Sequence, residues 1–210
     1  MAPKFEAYRL EICDQFDRLG YHTDMRVFDA SDFGVPQRRQ RVIIVALRQR
    51  YADKFRWPTP RAPSAPTVGE ALRDLMAESG WRGANAWAEH ADSVAPTVVG
   101  GSKKHGGADL GPTRSRAAWA KLGVEGKSLA DAAPPKDFTG MPRLTIPMVA
   151  RLQGFPDSWQ FSGKKTHAYR QVGNAFPPPV AQAVARRIKR AITEGRRVKA
   201  SAAERNRMAL

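Results

Sequence analysis

Cysteine is nearly missing from this 210-residue chain. Cys13 stands alone, which excludes an internal disulfide and a thiolate-based zinc site. Long apolar runs are missing too: the longest, Val42-Ile43-Ile44-Val45-Ala46-Leu47, has the length of a strand, far short of the roughly 20 residues that span a bilayer. The opening Met1-Ala2-Pro3-Lys4-Phe5-Glu6 lacks the charged-then-apolar layout of a secretory signal. Acid is scarce against base, 20 residues to 35, which leaves a formal charge of +15. The sequence has no internal repeat. These absences predict a globular, cytoplasmic protein with no membrane partner and a bias towards polyanions.

Glycine (17) and proline (16) are plentiful and predict many turns. Residues 5–19 carry apolar positions at helical spacing up to Gly20, and residues 21–30 and 37–47 read as strands. The second strand has a polar outer half and a continuously apolar inner half, as expected for burial on both faces. Two strands and one helix cannot cover those faces, so the segment reads as the edge of a larger sheet. A proline-rich connector runs over residues 57–66. Thr67 with Glu70 forms a capping-box signature for a short helix. Residues 80–140 look irregular, with a strand-like piece at 94–99 and a helix at 115–122. Thr145 opens a helix with Pro147 in its first turn and Gly154 past its end. A last helix starts near Pro177-Pro178-Pro179 and is expected to fray from Gly195.

Three segments could carry chemistry. If Gln37-Arg38-Arg39-Gln40-Arg41 is extended, Gln37, Arg39 and Arg41 share one face, a ladder of forked groups suited to a phosphate or a base oxygen. The competing account is a charged strand end that blunts edge pairing. Gln171-Val172-Gly173-Asn174-Ala175 reads as a tight turn into the last helix, able to present amides to a ligand or simply to start that helix. Thr97-Val98-Val99-Gly100-Gly101-Ser102-Lys103-Lys104-His105 runs from a strand into a basic glycine-rich loop that could meet phosphates, or could be only a flexible surface loop. His105 has no ligand-type neighbours, so no metal site is expected.

Taken in order, Phe33-Gly34-Val35-Pro36-Gln37-Arg38-Arg39-Gln40-Arg41-Val42, then Arg143-Leu144-Thr145 with Ala150-Arg151-Leu152-Gln153-Gly154-Phe155-Pro156-Asp157, then Tyr169-Arg170-Gln171-Val172-Gly173-Asn174-Ala175 resemble the last three signature blocks of bacterial DNA cytosine-5 methyltransferases. The variable stretch between the first and second lies where that family keeps its target-recognition domain. The resemblance covers about residues 5–190 and implies an α/β fold: the C-terminal edge of a Rossmann-like sheet, a small irregular β-rich recognition domain and a returning C-terminal helix. It divides the chain into residues 1–49 (end of the catalytic domain), 50–142 (linker and recognition domain), 143–194 (support and returning helix) and 195–210 (a disordered basic tail).

The resemblance also implies roles. Arg41 would meet the carbonyl oxygen of a flipped-out cytosine, where charge builds as a thiolate adds to the ring. Arg39 and Gln37 would order the neighbouring loop, phosphate and base contacts. Asn174 and Ala175 would help wall the S-adenosylmethionine pocket. Thr97, Val98, Gly100, Gly101, Lys103 and Lys104 would lie at double-stranded DNA, while Arg143 and Arg151 would brace the recognition domain. The family's Pro-Cys nucleophile has no counterpart, because Cys13 follows Ile12, and neither a Glu-Asn-Val triplet nor a glycine-rich cofactor turn occurs. The expectation is therefore one half of a split restriction–modification enzyme, completed by a separate N-terminal chain that shares the cofactor pocket and inactive without it. The alternative is an inactive DNA-binding remnant. An RNA substrate stays open through a related tRNA-methylating branch.

Overall fold

The computed structural model describes residues 5–60, 65–100 and 107–208, with side chains up to residue 198. In chain order the elements are α1 (Glu6–Arg18), β1 (Tyr21–Asp29), a 3-10 turn (Ala30–Phe33), β2 (Gln40–Arg48), α2 (Gln49–Ala52), α3 (Val68–Ala77), α4 (Ala84–His90), α5 (Thr113–Ala120), α6 (Ile146–Leu152), α7 (Lys165–Asn174) and α8 (Pro178–Met208). Among the described residues no helix is long and apolar enough to cross a membrane. Two compact units result: the described residues of Met1–Phe28, Arg41–Thr59 and Gln182–Leu210 form the first, and those of Asp29–Gln40 and Pro60–Ala181 the second.

In the first unit β1 pairs with β2 in a two-stranded sheet. Its small core is aromatic: the Trp57 ring packs edge-on against Phe28 and Phe55 at 5.6 and 5.0 Å, while its indole N–H donates to Asp24 Oδ2 at 2.8 Å. The apolar run of β2 is not buried on both faces. Only Val45 is buried, and Val42 remains 42 % exposed. A sheet of two strands cannot cover both of its own faces. α1 buries no residue at all, leaving Tyr8 and Leu10 exposed. α8 does not fray at Gly195 but runs on to Met208. The reason is packing: the backbone at Gly195 lies against the Tyr51 ring and the Arg50 carbonyl, which offsets the roughly 1 kcal/mol that glycine costs inside a helix.

The second unit holds the larger core. α3 begins as its sequence predicts, with Thr67 Oγ1 accepting from the Glu70 amide at 3.1 Å and Glu70 Oε2 accepting from the Thr67 amide at 2.7 Å. Its face of Val68, Leu72 and Met76 packs with Trp87 of α4 and Leu152 of α6 in one cluster. α6 starts at Thr145 and stops at Gly154, whose φ of +81° ends the helix. The α/β class stands. The region expected to be β-rich, however, consists of helices and loops among the described residues, and 94–99 is an extended segment that makes one parallel bridge, Gln37 with Ala95. Its short apolar pieces bury themselves against tryptophans rather than against other strands.

Candidate functional site

The second unit brings three distant pieces of sequence onto one buried pair of side chains. Pro36, Gln37 and Arg38 run beside Ala95, with the Arg38 amide donating to Ala95 O and the Ala95 amide to Pro36 O, both at 2.9 Å. That extended pairing alternates the side chains, so Gln37 and Arg39 turn inward while Arg38 and Gln40 face out.

Gln37 is fully buried. Its amide nitrogen donates to Leu152 O (3.1 Å) and Gln153 Oε1 (2.8 Å), and its oxygen accepts from the Val98 amide (2.8 Å). Gln153, equally buried, donates onward to Val172 O at 2.8 Å. Arg39, 3 % exposed, spreads its guanidinium over three main-chain carbonyls: Val98 O at 2.6 Å, Gly173 O at 2.7 Å and Ala175 O at 3.2 Å. Asp29 completes the bracket by accepting from the Arg39 amide at 3.0 Å. Burial pushes the phenol of the nearby core residue Tyr169 up, with Asp109 adding to the rise and the Arg39 charge opposing it.

The Thr97-Val98 pair and the Gly173-Asn174-Ala175 segment are thus tied to the same arginine. They also touch directly: the helical backbone at Gly173 lies so close to Gly100 that a methyl on Gly173 would meet the Gly100 nitrogen at 2.7 Å. Gln171–Asn174 is therefore the last turn of α7 and not a loop into the final helix. Gly173 serves close approach rather than an unusual φ. Thr97 Oγ1 donates to Arg38 O at 2.7 Å.

These placements alter some expected roles. Gln37, Arg39 and the Val98 side chain are buried, so they cannot reach DNA and instead fix the loop that would. Arg41 lies in the first unit, half-buried, with burial lowering its guanidinium from the ordinary value. Gly101, Lys103 and Lys104 lie outside the described residues. Asn174 is exposed at the end of α7 and Ala175 is half-buried. Gln153 and Asp29 belong to the bracket although sequence reasoning gave them no role. A glutamine in the apolar setting of α6 was the available signal.

Arg143 donates to Ser128 Oγ at 3.0 Å, and Arg151 reaches Ala71 O, Asp74 (2.5 Å) and Asp157 (2.7 and 2.9 Å), which ties α3 to α6 and to the turn after it. Partial burial works to raise the Asp74 carboxyl, but hydrogen bonding and the charge of Arg151 outweigh it and hold the group below its usual range. A depressed carboxylate stabilises the fold above its unfolded pKa and loses that effect as pH falls through the folded value. Asp74→Asn should therefore cost less than about 1 kcal/mol at pH 7, since the carboxylate is largely exposed. The difference from the unsubstituted chain should vanish by about pH 3, as urea unfolding at the two pH values would read.

The model of the C-5 cytosine-specific DNA methylase family matches residues 1–190. The chain belongs to that family. It is 55 % identical over 200 residues to the type II methyltransferase M.NaeI of Lentzea aerocolonigenes, covering 92 % of this chain and 48 % of the relative. It is 48 % identical over 193 residues to M.NgoMIV of Neisseria gonorrhoeae, covering 90 % and 61 %. The chain thus spans about half to three-fifths of these relatives' length, and what it matches is their C-terminal part. Among solved structures it resembles the Entamoeba histolytica methyltransferase EhMeth (TM-score 0.52, 12 % identity, 89 % of this chain and 59 % of that one). It also resembles the S. pombe Dnmt2 methyltransferase (TM-score 0.50, 16 % identity, 86 % and 61 %). These likenesses show the fold: part of a Rossmann-like α/β methyltransferase.

Proposed function

We propose that the chain acts as the C-terminal portion of a DNA cytosine-5 methyltransferase of a restriction–modification system, and that a second polypeptide bearing the Pro-Cys and Glu-Asn-Val segments completes it. The observation that carries this reading is the Gln37–Arg39 bracket, which joins the first, second and third signature blocks to the Thr97-Val98 pair in one hydrogen-bonded unit. The half-covered β2 and the unburied α1 support the second polypeptide as their occupant, since the relatives carry a comparable length of chain beyond the matched part.

In this reading Arg39 and Gln37 hold the recognition loop to the end of α7, so that Thr97, Gly100 and the lysines at 103 and 104 meet duplex DNA from a fixed base. Arg41, always cationic, faces the carbonyl oxygen of the extruded cytosine and stabilises the charge that grows there. S-adenosylmethionine, when bound, supplies the methyl group. The exposed Asn174 amide and Ala175, followed by the partly exposed Phe176 ring, fit one wall of its pocket, the remaining walls coming from the second polypeptide.

The test is complementation. This chain mixed with the N-terminal half of M.NaeI should transfer labelled methyl groups to duplex DNA, and neither part alone should do so. Transfer by this chain alone would overturn the split arrangement. A pair that forms a complex and binds DNA without transferring would favour an inactive remnant, and transfer to tRNA but not to DNA would reassign the substrate.

A further inference from the structure

The first unit carries a cavity of about 270 Å3 lined by Asp53, Lys54, Arg56, Arg187, Arg190 and Glu194, none of which belongs to the signature blocks. Arg187, Arg190 and Glu194 recur at three- and four-residue spacing and so form one stripe of α8. The turn after α2 supplies the other three residues.

Four cations face two carboxylates there, and both carboxylates are engaged. Glu194 Oε1 accepts from Arg190 Nε at 2.7 Å, and Asp53 Oδ1 accepts from Gln49 Nε2 at 2.7 Å. Arg56 is anchored on the carbonyls of Asp53 and Phe55 at 3.1 and 2.7 Å, with one guanidinium nitrogen making both contacts. Lys54 and Arg187 close no ion pair among the described residues. The local field is positive: hydrogen bonding to Arg190 holds the Glu194 carboxyl below its usual range against the opposing effect of desolvation, with the charges of Arg190, Lys54 and Arg197 adding to the lowering. The exposed Arg186, Lys189, Arg196 and Arg197 extend the basic surface along α8 past the cavity.

We propose that this cavity is a binding site for a phosphate of the duplex DNA backbone, gripped by Lys54 and Arg187 and separate from the recognition loop. Two cations without carboxylate partners, above a floor arginine already held in place, suit a phosphodiester oxygen pair. The row of exposed cations beyond the cavity fits a ligand with phosphates in series better than a single small anion. The choice of duplex DNA rests on the reading of the chain as a DNA-modifying subunit, and the test separates the two.

Binding of a 30-base-pair random-sequence duplex to the full chain is measured against salt for three proteins: the unsubstituted chain, the Lys54→Gln/Arg187→Gln variant and the Lys103→Gln/Lys104→Gln variant. Inorganic phosphate is titrated in parallel. The cavity variant should flatten the slope of log K against log salt by about 2, or about 0.9 for each contact removed, with an unchanged melting temperature. An unchanged slope in the cavity variant, with the loop variant weakened, overturns the site and leaves the DNA reading intact. No duplex binding by any of the three overturns both. Phosphate binding that is lost in the cavity variant while the DNA slope holds overturns the DNA assignment in favour of a free anion.

Discussion

Arg39→Met should destabilise the second unit by about 3–6 kcal/mol. The substitution keeps much of the apolar stem but leaves the carbonyls of Val98, Gly173 and Ala175 without their donor. A carbonyl stranded away from water costs about 1–3 kcal/mol. Against a total of about 5–15 kcal/mol for a typical domain, that is a large share. Arg39→Lys should recover little, because one ammonium on a flexible stem cannot span three acceptors that a planar fork meets together. Urea unfolding followed by the fluorescence of the buried Trp81, Trp87 and Trp119 reads the effect in this unit. A loss below about 1 kcal/mol would mean that water reaches the three carbonyls and that the bracket is not what holds the loop.

Gly173→Ala carries the second large effect, and its sign is the informative part. Inside a helix, alanine is ordinarily favoured over glycine by about 1 kcal/mol. Here the added methyl meets backbone, the Gly100 nitrogen at 2.7 Å and the Val99 carbonyl carbon at 2.9 Å, and backbone cannot swing aside. The expected outcome is destabilisation by about 2–3 kcal/mol, together with lost methyl transfer in the complemented enzyme, as the Val99-Gly100 segment is levered off α7. Gly100→Ala gives the contrast. Its methyl would strike the Asn174 side chain, at 2.7 Å from Cγ, and a side chain can rotate. Gly100→Ala should therefore cost less, and Asn174→Ala should relieve it in a double-mutant cycle. A neutral or stabilising Gly173→Ala would show that the two segments are not in contact in solution.

Where sequence and fold agree, the signal is local. The capping box of Thr67 and Glu70, the Pro147 and Gly154 pair around α6, and the alternation at Gln37 to Gln40 each depend on neighbours within a few residues. α7 escaped such reading because Lys164 offers no side-chain cap and the helix ends in glycine and asparagine. It is stabilised by Ala168, Tyr169 and Val172, which are buried in the unit's core. α4 likewise depends on Trp87, buried and donating to Gly123 O. Motif order pointed to Arg39 and Gln37 but not to their burial, since their acceptors lie 59 to 134 residues away and an exposed arginine ladder satisfies the same alternation. Gly195 misled in the opposite direction: composition marks a stop, and one tyrosine ring carries the helix across it.

Arg39 grips only main-chain oxygens, and every peptide offers those whatever side chain it bears. The clamp is therefore blind to the identity of the residues it fastens. A foreign cassette replacing residues 60–181 could be seated by the same arginine, provided that its carbonyls returned to the same three positions. Recombination could in this way exchange target preference between relatives without redesigning the hinge-side residues 29–40.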